Sequence, residues 1–311
     1  MRIGIPRGFY FYSYPGLWEA FFRGIGMEPI LSGESSGKTL ELACSESEHC
    51  LAHKIFDGHL KSLQGQVDAV FIPRVLSLKK LHICCAKFGA LPDASRLGVA
   101  AFCPVISAEL NENKEPLQQT LKRLAGDLGV NRVMAQQGVL TALAAMAQEK
   151  EKQKAAAHNL PTGRFLLLGH PYTLEDKFIS GPVKNKLAAL GLPVELMTFG
   201  EGPREPSPVR WCTFNSIYHR LVELDMSRYA GVIQISTFNC GPDSVMVDKY
   251  RRICRSRGIP YLLLMVDEHT ASAGIETRLE AFCDSVQWKQ YRTTPGKPNP
   301  VQNIEAYAAQ A

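Results

Sequence analysis

The chain repeats one pattern, and this constrains its fold more than any other feature. Residues 2–5 form a short apolar run that ends in Pro6-Arg7-Gly8. Residues 16–26 follow, with Leu17, Phe21, Phe22 and Ile25 at helical spacing and Gly26 as a stop before Met27-Glu28-Pro29-Ile30-Leu31. The order returns at residues 164–168, an apolar strand ending in Gly169-His170-Pro171-Tyr172. A helical stretch over 181–190 comes next, then Gly191 and Leu192-Pro193-Val194-Glu195-Leu196. Both copies continue alike. Residues 67–73 read as a buried strand followed by a loop with Cys84 and Cys85, and residues 230–236 as a buried strand followed by a loop with Cys240. Continuous apolar strands alternating with helices select parallel sheets. The expected fold is α/β: two Rossmann-like or flavodoxin-like domains, related by an old duplication, with a cleft between them.

The expected boundaries follow from composition. An N-terminal α/β domain covers residues 1–160 and includes a long connecting helix over 135–159, whose charged end Gln148-Glu149-Lys150-Glu151-Lys152 faces solvent. The turn at Leu160-Pro161 opens a C-terminal α/β domain over 161–292, and residues 293–311 read as a loose tail. With 45% hydrophobic and 21% charged residues the chain can bury a sizeable core. No apolar run reaches the roughly 18 residues of a membrane helix, and the N-terminus has no long apolar leader, so a cytoplasmic protein is expected. The net charge of +5 comes from 35 basic and 30 acidic residues spread along the chain. Without a basic tract it argues for a solvated surface, not for nucleic acid.

Several chemistries are excluded by missing motifs. There is no Gly-x-Gly-x-x-Gly and no Gly-x-Ser-x-Gly. Ser35-Ser36-Gly37-Lys38-Thr39 ends like a phosphate loop, but Gly33 stands four residues before Gly37 and leaves the loop one residue too tight. The nine cysteines are more informative. Cys254 and Cys283 sit in helix-like stretches and read as small core residues, whereas Cys50, Cys85 and Cys240 sit at element ends, where function concentrates. Lys54 stands four residues after Cys50, where on a helix its ammonium would favour thiolate, and the plainer reading is a surface lysine beside a packed thiol. Cys84 and Cys85 are adjacent, so their side chains diverge and one of them is the working residue. Cys240 follows a strand and precedes a helix, with Gly241 allowing close approach of a bulky group.

Three cysteines on three loops, without Cys-x-x-Cys, fit a zinc ribbon poorly. A fourth ligand from His49, His53, His59, His82 or His170 keeps zinc open, and iron–sulfur clusters accept scattered thiolates. Asp267-Glu268-His269-Thr270 follows the strong strand over 261–266. Glu268 and His269 are therefore candidate catalytic acid–base groups, while Asp267 or Thr270 would serve equally as a helix cap.

Taken together, these segments resemble one family. They are Met1-Arg2-Ile3-Gly4-Ile5-Pro6-Arg7-Gly8, Glu48-x-Cys50-x-x-x-Lys54, Phe71-Ile72-Pro73-Arg74, Cys85-x-Lys87-Phe88, Gly169-His170-Pro171-Tyr172, Cys240-Gly241-Pro242-Asp243-Ser244, and the block from Asp267-Glu268-His269-Thr270 to Ala281-Phe282. The set, over about residues 1–290, is similar to the CoA-substrate-specific enzyme activase-related proteins (CoA protein activase, DUF2229-type). These are relatives of 2-hydroxyacyl-CoA dehydratase subunits and of double-cubane-cluster proteins. Ala86 and Ala52-His53 stand where relatives commonly carry proline.

The resemblance implies an iron–sulfur cluster, [4Fe-4S] or a double-cubane variant, held by Cys50, Cys85 and Cys240 as metal ligands between the domains. It implies low-potential electron transfer in anaerobic metabolism, towards a dehydratase-like or reductase-like reaction on an acyl-CoA or small-molecule substrate. Without a phosphate loop the chain is not expected to be an ATPase, so an ATP-dependent activase of the actin-like superfamily would be a separate partner. Whether the chain is catalytic or an accessory carrier, and whether it forms a homodimer, stays open at this level. The rival reading is a non-catalytic two-domain module that binds a small ligand or partner without metal, closing like a hinge.

Overall fold

The computed structural model describes residues 1–43, 49–98, 102–158, 160–197, 209–268 and 272–293. The first half runs β1 (Arg2–Ile5), α1 (Tyr10–Ser13), α2 (Leu17–Gly24), β2 (Glu28–Leu31), α3 (Gly37–Leu42), α4 (Leu51–Ser62), β3 (Ala69–Phe71), β4 (Arg74–Ser77), α5 (Ala86–Leu97), β5 (Val105–Ile106), β6 (Glu109–Asn111), α6 (Leu117–Asp127) and α7 (Arg132–His158). The second runs β7 (Arg164–Leu168), α8 (Pro171–Leu174), α9 (Lys177–Ala189), β8 (Val194–Leu196), α10 (Cys212–Glu223), β9 (Tyr229–Thr237), α11 (Gly241–Ser256), β10 (Tyr261–Val266) and α12 (Ser272–Thr293).

The strands form two four-stranded sheets, β2-β1-β3-β5 and β8-β7-β9-β10, in which every pairing is parallel. Each sheet thus repeats one order among its four strands taken in chain order: the second at an edge, then the first, the third and the fourth. That is the opening of a flavodoxin-like sheet, whose ligands bind at the carboxyl ends of the central strands. The expected α/β class with parallel sheets is the observed one. A small parallel pair, β4 with β6, is an addition to the first half.

Element ends differ from the reading in instructive ways. The helix expected over 181–190 begins at Lys177, because Asp176 caps it by accepting from the amides of Phe178 and Ile179, and Gly181 and Pro182 lie inside it. The long helix begins at Arg132 and ends at His158, with Asn159 outside the described residues. It lies against α2 through glycine: a Cβ built on Gly24 would sit 2.7 Å from the Gly138 Cα. The expected tail lies outside the described residues beyond Thr293, which ends α12.

The turn into the second half is held by a buried charge network. Arg164 opens β7 with its side chain buried. It donates from Nε to Glu195 of β8 at 2.5 Å and from Nη1 to the Pro161 carbonyl at 2.9 Å. Tyr229 of β9 donates to the same carboxylate at 2.8 Å, and Arg220 of α10 at 2.6 Å. Burial alone would raise the Glu195 carboxyl, but the Tyr229 and Arg164 hydrogen bonds and the Arg220 charge outweigh it and hold the group below its ordinary value.

Two outcomes follow. Gly24→Ala should destabilise the chain by about 1–3 kcal/mol in denaturant unfolding, where the same change in an open helix would stabilise it by about 1 kcal/mol. Glu195→Gln should cost about 3–5 kcal/mol by leaving Arg164 buried and unpaired. The wild-type carboxylate's contribution is full above the ordinary carboxylate pKa of about 4.3 and is lost as pH falls through the lowered folded value. Acid should therefore narrow the stability gap between wild type and the variant.

Candidate functional site

Three helices begin at the three singled-out cysteines. Cys50 is the N-cap of α4, Cys85 of α5 and Cys240 of α11, with Cys50 and Cys240 in extended backbone and none of the three using its sulfur to cap. Their carbonyls serve the helices instead. That of Cys50 accepts from the His53 amide at 2.8 Å, that of Cys85 from Phe88 at 3.0 Å, and that of Cys240 from Ser244 at 3.1 Å. Pro242 in the first turn of α11 supplies a preset φ and asks for no acceptor. Each sulfur thus stands at the positive end of a helix, where a thiolate is favoured.

The three thiols act on one another and on one phenol. The hydroxyl of buried Tyr172 is raised well above its ordinary value, first by burial and then by Cys240, Cys50, Asp243 and Cys85. Burial pushes the Cys50 thiol up, against the pull of the His53 amide and the Lys87 ammonium, with Cys85 adding to the rise. Burial and the Asp243 carboxylate push Cys240 well up, and Cys50 contributes. The cation acting on Cys50 is therefore Lys87 and not Lys54. Lys54 reaches across to Glu268 and binds both carboxylate oxygens at 2.9 Å. The thiolate that Lys54 was expected to favour is opposed by burial.

Around the thiols lies an aromatic wall shared by both halves. Tyr172 stacks on His170 with ring centres 4.7 Å apart and meets Phe9 edge-on at 5.2 Å; Phe9 in turn meets Phe88 at 4.9 Å and Phe56 at 5.2 Å. Phe9 follows β1 and Tyr172 follows β7, so the carboxyl ends of the two central strands face each other. Packing crosses the same seam, with Tyr172 lying in the first half's apolar core and Leu51 and Ile55 of α4 in the second's.

Among the described residues, two sets of side chains bring metal-ligating atoms within 4.8 Å of one another: His170, Cys240 and Asp243, and His49, His53 and Asp57. In the first, His170 Nε2 lies 3.9 Å from Cys240 Sγ and 3.6 Å from Asp243 Oδ1. Asp243 Oδ2 accepts from Ser236 at 2.5 Å, whereas its buried Oδ1 has no hydrogen-bond partner. In the second, the His49 and His53 rings stack at 4.1 Å, and burial holds His53 at about 4, so it is neutral beside Asp57.

The other candidates are placed elsewhere. His59 is buried against Ser35 at 2.9 Å, and His82 donates from Nδ1 to the Lys80 carbonyl at 2.7 Å within its own loop. Glu268 lies in the Lys54 pair, and His269 lies outside the described residues. Cys254 and Cys283 are buried in the second core, as read. Cys84 turns from Cys85 towards Cys212. The reading missed Tyr172 as the common neighbour, Lys87 as the charge on Cys50 and Asp243 beside Cys240. One available signal was that all three cysteines directly precede helix starts.

The fold and the site define an α/β protein with paired parallel sheets and metal-capable groups at their seam. The family model of the CoA enzyme activase uncharacterised domain (DUF2229) matches residues 2–199, and the chain belongs to that family. No curated protein matches the chain. Among solved structures it is similar to the SBP FpvC from Pseudomonas aeruginosa in complex with Mn2+, at 15% identity over 92% of this chain and 99% of that one, with a TM-score of 0.30. It is also similar to a Zn(II)-bound AdcAII variant of Streptococcus pneumoniae, at 12% identity over 92% and 97%, with a TM-score of 0.29. Likenesses at these TM-scores carry no argument. Among the described residues no helix is long and apolar enough to cross a membrane.

Tyr172 tests the seam. Tyr172→Phe keeps the ring contacts and should cost less than about 1.5 kcal/mol in denaturant unfolding. Tyr172→Ala opens the wall on both sides and should cost about 3–5 kcal/mol.

Proposed function

We propose that the chain is an iron–sulfur protein whose cluster, [4Fe-4S] or a double-cubane variant, is held by Cys50, Cys85 and Cys240. What supports this reading is that each of the three cysteines is the N-cap of a helix with its sulfur unspent, and that Cys240, Cys50 and Cys85 all help burial to push up the Tyr172 hydroxyl. The donor set suits such a group: three soft sulfurs at helix N-termini, beside the Lys87 ammonium, behind aromatic rings. When bound, the group supplies one-electron redox chemistry and, with three protein thiolates, leaves one iron open to a non-protein ligand.

The protein's own residues have definite tasks in this reading. The helix N-termini and Lys87 offset the thiolate charge. Phe9, Phe88 and Tyr172 exclude water. The Lys54–Glu268 pair ties α4 to the loop after β10. Glu268 is the described candidate acid–base group for a dehydratase-like or reductase-like reaction on an acyl-CoA or small molecule, with the chain acting as catalyst or electron carrier. Energy for low-potential transfer would come from a separate ATP-dependent activase. In support, Ser36 and Thr39 of the misspaced loop are occupied in capping the six-residue α3. A second reading, one divalent ion on His170, Cys240 and Asp243, is favoured by the unpartnered buried Asp243 Oδ1.

Anaerobic purification followed by metal and sulfide analysis decides between them. The cluster reading expects about four iron and matching acid-labile sulfide per chain for a single cubane. Cys240→Ser should lose most of that iron with the circular dichroism unchanged. Cys254→Ser should keep the iron and lose about 1–3 kcal/mol of stability. One zinc per chain, released by His170→Ala, would establish the second reading. A metal-free protein would overturn both.

A further inference from the structure

Cys84 is adjacent to a proposed ligand yet engages a different partner. Its Sγ lies 3.8 Å from the Sγ of Cys212, 128 residues further along and in the other half. The two backbones are tied at this point. The Ile83 amide donates to the Arg210 carbonyl and the Cys212 amide to the Ile83 carbonyl, both at 2.9 Å, and Ile83 pairs with Trp211 in a single parallel bridge. Segments paired in this way run about 5 Å apart, within the roughly 4.4–6.8 Å Cα separation that a disulfide spans. Side-chain rotation alone can therefore bring the sulfurs to bonding distance.

The two thiols are differently placed. Cys84 is half-buried and reachable from solvent, whereas Cys212 is buried. Cys212 is also the first residue of the twelve-residue α10, where a thiolate is favoured.

We propose that Cys84 and Cys212 form a thiol–disulfide exchange site that reversibly cross-links the two halves, with a low-molecular-weight disulfide as oxidant. The solvent-reachable Cys84 thiol gives up its proton and its sulfur attacks one sulfur of R–S–S–R, forming a mixed disulfide and releasing one RS⁻, which takes up that proton. The Cys212 thiolate then attacks the Cys84 sulfur, the mixed disulfide breaks, and the second RS⁻ leaves with the Cys212 proton. Two protein thiols lose two electrons and two protons, and the oxidant becomes two RSH. The bond closes a loop between positions 128 residues apart and clamps the segment that carries Cys85. Neither sulfur belongs to the proposed cluster set, so the site stands whether or not a cluster is bound.

The test treats the full chain with oxidised glutathione under argon, blocks remaining thiols with iodoacetamide and maps peptides by mass spectrometry. A Cys84–Cys212 linked peptide, removed by dithiothreitol, is expected. Amide exchange at Ile83 and Cys212 should slow about tenfold or more in the oxidised form. In Cys212→Ser the cross-link should vanish and Cys84 should carry a glutathione adduct. Cys84→Ser should keep wild-type iron, which separates this site from the cluster. The proposal is overturned if Cys84 and Cys212 both end alkylated, if Cys84 links instead to Cys50, Cys85 or Cys240, or if Cys84→Ser empties the iron.

Discussion

The seam between the two sheets depends on one aromatic contact, Phe9 against Tyr172. Each ring leaves the carboxyl end of an inner strand of its sheet; Phe9 packs on Phe56 and Phe88 of its own half and meets Tyr172 edge-on, and Tyr172 lies in the first half's core. Phe9 does so at φ 47°, in the left-handed region that costs a bulky residue about 1–3 kcal/mol. Burying that ring among Phe56, Phe88 and Tyr172 offsets the cost, since full burial of an aromatic side chain contributes a similar amount or more. The strained backbone is thus over-determined by its surroundings. The loops after β1, β7 and β9 open at this seam and bring Phe9, Tyr172 and Cys240 to it.

Electrostatics and burial oppose each other at that place. Each helix N-terminus favours a thiolate by about 0.3–1 kcal/mol. Desolvation runs the other way and wins at Cys50 and Cys240, both pushed up. Lys87 alone does not restore the balance at Cys50. A bound cation would reverse it, since metal charge outweighs every other local term and deprotonates coordinating thiols. The same reasoning explains why buried Asp243 keeps an oxygen without a donor beside His170: such an arrangement is costly in a dry core and suits an incoming cation.

Much of the fold was legible because the apolar pattern is strong where strands are buried on both sides. The expected strand over 261–266 coincides with β10, and the expected α/β class with parallel sheets is the observed one. Boundaries failed where a cap outranked a breaker. Asp176 starts α9 early by accepting from the Phe178 and Ile179 amides, and Gly181 and Pro182 therefore fall inside it. The site was legible only as chemistry-bearing residues at element ends. Which lysine addresses Cys50 was misread, because i,i+4 spacing applies within a helix and Cys50 precedes one. Lys87 comes from α5, and no local spacing links it to Cys50. The Tyr172 contacts with Phe9 and Phe88 are likewise tertiary, joining residues far apart in the chain.

The pair Cys84-Cys85 shows how one dipeptide can serve two neighbours. The Cys84 amide is tied to the Leu76 carbonyl at 2.9 Å, and Cys85 follows as the cap of α5. The Cys84 sulfur turns towards Cys212 of α10, and Cys85 acts on Cys50 at the start of α4. Had the helix begun one residue earlier, Cys84 would be the cap and Cys85 would lie in the first turn, a rotation of about 100° away. The position of the helix start, and not the identity of either cysteine, assigns the two sulfurs to different partners. It also places the proposed disulfide pair one residue from a proposed metal ligand.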